Sequence, residues 1–249
     1  MKNFGFIIFF SIVLVLYALI NYYIIRRGLS IVPHGSSLRL WLIFGVSFFA
    51  AAFIAGRFLE RVSVNWFSAA LIWVGSFWLG IMVYLLLQLV LIDLLRLLNM
   101  AFGFIPSFSD PEKVKKTIGI LVITLTGIVV LECHINTWFP AIRNFEMEVN
   151  KDGGNLKELH IVAFSDVHLG TTIEKRHLSI IVNKVNELNP DVILIPGDII
   201  DEDIAPVIHN NVGEILTQLK AKYGVFAVTG NHEYIGGVMA SKKYLKEHG

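Results

Sequence analysis

Apolar residues follow two different rhythms along this chain, and the change falls near residue 140. Before it they run almost unbroken through four stretches, at about 4–25, 40–56, 67–92 and 118–138. A helix needs roughly 17 to 25 apolar residues to cross a hydrocarbon core, so residues 1–139 read as a bundle of four transmembrane helices. The first stretch ends on Arg26-Arg27 and has no convincing small-x-small cleavage site, which makes it a retained helix rather than an export signal. After residue 140 the pattern breaks into polar residues with the turn-forming run Asp152-Gly153-Gly154-Asn155, so 140–157 reads as a linker and 158–249 as a water-exposed domain.

Within that domain short β-branched runs alternate with helical periodicity. The pattern predicts strands at 159–164, 192–195 and 225–228, helices at 177–188 and 207–219, and a further helix over 234–249. Strand-helix-strand-helix-strand order implies right-handed crossovers and a largely parallel sheet, with ligands held at the carboxyl ends of the strands. The fold class is therefore α/β behind a helical membrane region.

Composition supports the division. The chain is 55% hydrophobic and 16% charged, too apolar for an ordinary soluble enzyme. Residues 1–139 carry ten Lys/Arg against five Asp/Glu and residues 140–249 eleven against fifteen, so the halves are net +5 and net −4. An acidic water-exposed half argues against nucleic acid as a partner, because phosphate backbones are gripped by clustered Lys and Arg. The basic residues of the first half bear on topology instead. Arg26, Arg27, Arg39, Arg96, Lys113, Lys115 and Lys116 lie in the first and third loops, against Lys2, Arg57, Arg61 and Arg143 on the other side. That bias places the first and third loops in the cytoplasm and the domain after Trp138 outside it, on a multi-pass protein of the cell membrane. Cys133 is the one cysteine, so no disulfide forms within the chain. Asp93 and Arg96 are spaced to pair on one helix face. Glu132, Cys133 and His134 fall near a helix end, where snorkelling or water contact is expected. Trp41, Trp66 and Trp138 stand near the expected membrane interfaces.

Three clusters carry chemistry, and each follows a predicted strand: Ser165-Asp166-Val167-His168, Gly197-Asp198-Ile199-Ile200-Asp201 and Gly230-Asn231-His232-Glu233. In extended backbone, side chains two apart point the same way, so Asp166 and His168 could reach one cation together. Gly197 permits a sharp turn that presents Asp198, whose carboxylate can bridge two ions; a turn or N-cap role is the bland alternative for that aspartate. In two-metal hydrolases, cations about 3.5 to 4 Å apart clamp the phosphoryl oxygens of the substrate. Asn231 offers a neutral amide oxygen as a further ligand. His232 suits a general acid for the leaving oxygen, and Asp201 could accept a hydrogen bond from it and fix its tautomer.

The three clusters, in this order and each after a strand, resemble the calcineurin-like metallophosphoesterase family, and the preceding helices resemble its membrane-associated bacterial branch. The resemblance covers residues from about 156 onward. It implies the first half of a metallophosphoesterase α/β sandwich holding two divalent ions, of Mn, Fe or Zn. By the same resemblance Asp166, His168 and Asp198 ligate the first ion, Asp198 and Asn231 the second, and His232, supported by Asp201, protonates the leaving group. Glu202-Asp203 stand where the serine/threonine protein phosphatase branch has Arg and Gly, which disfavours that branch. The family pattern continues into a Gly-His-x-His cluster with no counterpart before Gly249. The expectation is a truncated chain that binds metal weakly and turns over little. Hydrolysis of a phosphodiester or phosphomonoester, lipid-linked substrates included, is one functional reading. A catalytically silent membrane scaffold or interaction protein is the other, and the oligomeric state is not set by the sequence.

Overall fold

The computed structural model describes residues 2–106 and 108–249. These fall into two compact units, drawn from residues 1–61 with 70–135 and from residues 62–69 with 136–249.

Four long helices make up most of the first unit: α1 (Lys2–Leu29), α2 (Leu38–Val62), α3 (Trp66–Phe102) and α4 (Pro111–Asn136). Each holds a stretch long and apolar enough to cross a membrane. The helices outrun the apolar stretches because polar residues at their ends satisfy the backbone N–H groups that a helix start leaves free. Asn65 Oδ1 accepts from the backbone N–H of Phe67 at 2.9 Å and of Ser68 at 3.1 Å. Asp110 Oδ1 accepts from that of Lys113 at 2.9 Å, ahead of a proline in the first helical position.

The outer surface of these helices is apolar. Trp41, Phe44, Leu87 and Leu97 are all more than half exposed, a surface suited to lipid rather than water. Polar side chains inside the unit are paired. Asn21 is buried; its Nδ2 donates to Tyr17 O at 2.8 Å and reaches Met82 Sδ at 3.4 Å, and its Oδ1 accepts from Trp78 Nε1 at 3.0 Å. The expected Asp93–Arg96 pair is present at 3.9 Å, but nearer partners come from α1: Tyr23 Oη donates to Asp93 at 2.5 Å and Arg27 forms a close ion pair with it. Sequence spacing reveals pairs on one helix and is silent about pairs between helices. In the Glu132-Cys133-His134 cluster, Cys133 is exposed, 3.5 Å from Tyr84 Oη, and His134 meets the rings of Trp73 and Phe77.

The second unit carries a parallel sheet in the order β1 (Ile161–Ala163), β2 (Val192–Pro196), β3 (Val225–Val228). Side chains alternate across it, so Val162, Ile193 and Val225 share one face while Ala163, Leu194 and Phe226 share the other. The first face is sealed. Ile193 and Ile195 join Leu178, Val182 and Val185 of α5 (Lys175–Glu187), together with Val207, Val212 and Leu216, in one core. The second face is open, with Phe226 57% and Val228 64% exposed, where parallel sheets are ordinarily covered on both sides.

The helix expected over 207–219 is two short ones, α6 (Ala205–His209) and α7 (Gly213–Leu216). Asn211 between them is left-handed at φ 47°, a conformation that ends a right-handed helix and that Asn tolerates. Likewise the C-terminal helix is divided into α8 (Asn231–Gly236) and α9 (Val238–Glu247) at Gly237, φ 119°. Tyr244 of α9 is buried and accepts from Gly213 N–H at 2.8 Å, which ties α9 to the start of α7. Residues 140–157 hold no helix or strand. The chain where they begin is tied to α5: Arg176 lies 5.1 Å over the Trp138 ring, the His177 ring is 4.9 Å from it, and Lys184 Nζ donates to Pro140 O at 2.6 Å.

Candidate metal centre

Each of the three clusters follows the carboxyl end of a strand, the first two on loops and the third at Gly230 and the first turn of α8. The loops after β1 and β2 run side by side and extend the sheet's hydrogen bonding past its strands. Asp166 N–H donates to Gly197 O at 3.3 Å, His168 N–H to Asp198 O at 3.0 Å, Leu169 N–H to Ile199 O at 2.8 Å, and Asp201 N–H returns to Leu169 O at 2.9 Å. Val167, Leu169, Ile199 and Ile200, the apolar residues between the polar ones, are buried in the core. The polar residues are thereby held outward on a loop whose other half is locked.

Extended backbone, on which the sequence argument for Asp166 and His168 rested, is not what the chain adopts. Asp166, His168 and Asp198 are all left-handed, with φ of 57°, 51° and 50°. Such a conformation is costly for a residue with a Cβ and is found mainly at functional sites and turns. Side-chain direction here is set by these bends rather than by strand alternation.

The bends bring His168, Asp198 and His232 together. One donor atom from each lies within 4.8 Å of the others, and all three residues are partly buried. The two imidazole rings meet edge to face with centroids 4.4 Å apart. Two imidazole nitrogens with a carboxylate oxygen form a donor set that suits Mn, Fe or Zn, so these residues fit a divalent ion. Asp166 lies outside this group; its carboxylate is exposed and accepts a hydrogen bond from Ser165 Oγ. Asn231 opens α8 and is exposed. His232 Nδ1 sits 3.2 Å from Asp201 Oδ1, the contact expected of those two residues, and this leaves Nε2 facing away from Asp201.

Glycines let the loops close. Gly197, at φ 93°, passes Gly230 so tightly that a Cβ on it would lie 2.9 Å from the Gly230 Cα. A Cβ on Gly230 would in turn collide with the Asp198 carboxylate and lie 2.7 Å from its backbone nitrogen. Asp198 Oδ1 accepts from His232 N–H at 2.9 Å, which joins the second loop to the third.

Glu233 is a site residue to which sequence reasoning assigned no role. It is fully buried, and its carboxylate accepts from the backbone N–H groups of Asp198, Ile200 and Gly230. One signal was available: Glu233 stands at the third position of a helix that begins after Gly230, the place from which a glutamate reaches back to the capping residue's N–H.

Comparison with known proteins agrees with this geometry. The family model for calcineurin-like phosphoesterases matches residues 159–248. A transmembrane protein with metallophosphoesterase domain from Danio rerio is 35% identical over 116 residues, 46% of this chain and 26% of that protein. One of the same description from Bos taurus is 40% identical over 95 residues, 38% of this chain and 21% of that protein. A bacterial relative, an uncharacterized metallophosphoesterase of Helicobacter pylori, is 40% identical over 89 residues, 36% of this chain and 24% of that protein. The matched region thus spans about a quarter of these curated relatives. No solved structure matches the chain. The loops that follow β1 and β2, and the start of α8 after β3, all lie within residues 159–248, the region similar to calcineurin-like phosphoesterases, and four membrane-type helices precede it.

Proposed function

We propose that this chain is part of a membrane-borne enzyme that hydrolyses phosphoesters at a dinuclear metal site. The observation that carries the reading is the convergence of His168 and Asp198, from two loops, with His232 from the first turn of α8. Asp166, His168 and Asp198 would hold one ion and Asp198 with Asn231 the other. Divalent ions bound there supply Lewis-acid polarisation of a phosphoryl oxygen. Asn231 contributes a ligand without adding negative charge where an anionic substrate must approach. His232, oriented by Asp201 at Nδ1, presents Nε2 as the proton donor to the departing oxygen. Four membrane-type helices on the same chain favour a lipid-linked or envelope phosphodiester over a freely diffusing phosphomonoester. The charge bias of the short loops favours an extracytoplasmic position for the domain.

His232 also belongs to the group that could ligate an ion, which favours a second role for it as a ligand. Removing it separates the two. As a proton donor, His232→Ala lowers turnover about 10²- to 10⁴-fold with metal uptake retained; as a ligand, it lowers metal uptake itself.

The central test is Mn²⁺ titration of residues 1–249 in detergent micelles, with hydrolysis of bis-p-nitrophenyl phosphate followed in parallel. The wild-type chain should take up Mn²⁺, and Asp198→Asn should abolish uptake while the melting temperature stays near wild type. Equal uptake by the variant removes the bridging role, and a wild-type chain that takes up no transition metal removes the reading altogether. A reporter fused after Asn155 tests the topology: activity of a cytoplasm-only reporter there reverses the proposed side.

A further inference from the structure

We propose that Glu233 is a positioning residue that fixes the metal-facing carboxylate of Asp198 by gripping the backbone on both sides of it, an inference that rests on the metal-site reading above. Its side chain is 0% exposed. Glu233 Oε2 accepts from Asp198 N–H at 3.2 Å and from Gly230 N–H at 2.7 Å, and Oε1 accepts from Ile200 N–H at 2.8 Å. Among the described residues no ion pair accompanies it, so the buried carboxylate is met by amide dipoles alone.

The arrangement closes a ring. Glu233 holds the backbone of Asp198; the Asp198 carboxylate accepts from the backbone of His232 at 2.9 Å; and His232 is covalently followed by Glu233. Displacing any member displaces the Asp198 carboxylate. The ring also explains how Asp198 is kept at φ 50° although its side chain disfavours that conformation, since the amides on either side of Ile199 are both tied to one buried group. Only a carboxylate offers two acceptor oxygens to these three donors. Glutamine has the same shape but must turn its NH₂ toward at least one buried N–H, leaving that donor unmet.

The test is Mn²⁺ affinity of residues 1–249 in detergent micelles, measured by titration calorimetry for wild type, Glu233→Gln, Glu233→Asp and a control, Val182→Ala. The control weakens the α5 core, far in sequence from the loops. Glu233→Gln should lower Mn²⁺ affinity about 10- to 100-fold, the usual range when a residue supporting a metal ligand is lost, with Val182→Ala unchanged. Amide exchange at Ile200 and Gly230 should quicken in the Gln variant and not in the control. Glu233→Asp keeps the charge but withdraws it by one methylene, and should fall between wild type and Gln; it decides the matter if the Gln variant does not fold. Wild-type affinity in both Glu233 variants overturns the proposal while leaving the metal site standing. An equal loss in the control also overturns it, by reducing the effect to general destabilisation. A wild-type chain that binds no Mn²⁺ fails the site reading itself.

Discussion

The two units solve the problem of buried polar groups in opposite ways. In the helical unit they pair side chain to side chain over long stretches of sequence, as in Trp78 with Asn21 and Tyr23 with Asp93. In the α/β unit Glu233 and Asp198 grip backbone amides of neighbouring loops. The difference follows from what the backbone has left to offer. A long helix consumes its own N–H groups, so an acceptor side chain within it must find a side-chain donor, while a donor can still reach a helix carbonyl, as Asn21 does at Tyr17 O. A loop after a strand leaves its N–H groups free, and side chains can then fix its shape. Apolar residues differ in parallel: in the α/β unit those of one sheet face are sealed between sheet and helices, and in the helical unit most face outward.

This contrast is sharpest where burial differs most. Ile193→Ala in β2 removes a fully buried side chain and should cost the α/β unit about 2–5 kcal/mol. Leu87→Ala in α3, at 61% exposed, should cost less than about 0.5 kcal/mol in micelles, as surface changes do. Comparable losses of thermal stability in the two variants would show that Leu87 is covered by protein rather than lipid.

Gly230→Ala probes whether the loops are as tightly determined as the core. The new Cβ meets Asp198, so a destabilisation of about 1–3 kcal/mol is expected, as for an overpacked site. Mn²⁺ uptake should fall with it, because the carboxylate that must move is the one proposed to bridge the ions. A variant with wild-type uptake would mean that the third loop adjusts independently of the second.

A smaller effect than that of Gly230→Ala is expected from Asn21→Leu in α1. It breaks the hydrogen bond from Trp78 Nε1 and should destabilise the helical unit by about 0.6 kcal/mol, with 1–2 at most, as measured for polar contacts between membrane helices. Unfolding in mixed micelles of defined denaturing detergent fraction would read it. A loss as large as that of Ile193→Ala would erase the distinction between the units.

Much of this was legible beforehand because run length and alternation are direct imprints of burial. Four unbroken apolar stretches became four helices, and three β-branched runs became three parallel strands with the polar clusters at their ends. The pairing of His232 with Asp201 was legible too, from chemistry and spacing. Features decided by one residue's backbone were not. Asn211 and Gly237 divide helices whose side-chain periodicity runs on across the break, and the left-handed bends at Asp166 and His168 fall just past the expected strand, where extended backbone was assumed. Glu233 escaped for a related reason: a glutamate in a first helical turn is ordinarily at the surface, and only the approach of the second loop makes it a buried hub.

The bends at Asp166, His168 and Asp198 carry an evolutionary corollary. Glycine would satisfy those backbone angles with less strain, so a lineage selected only for a durable fold would drift toward glycine at all three. Aspartate and histidine stand there at the expense of folding stability. If the proposed metal site is what holds them there, these are the positions where decay would register first in a population freed from that demand.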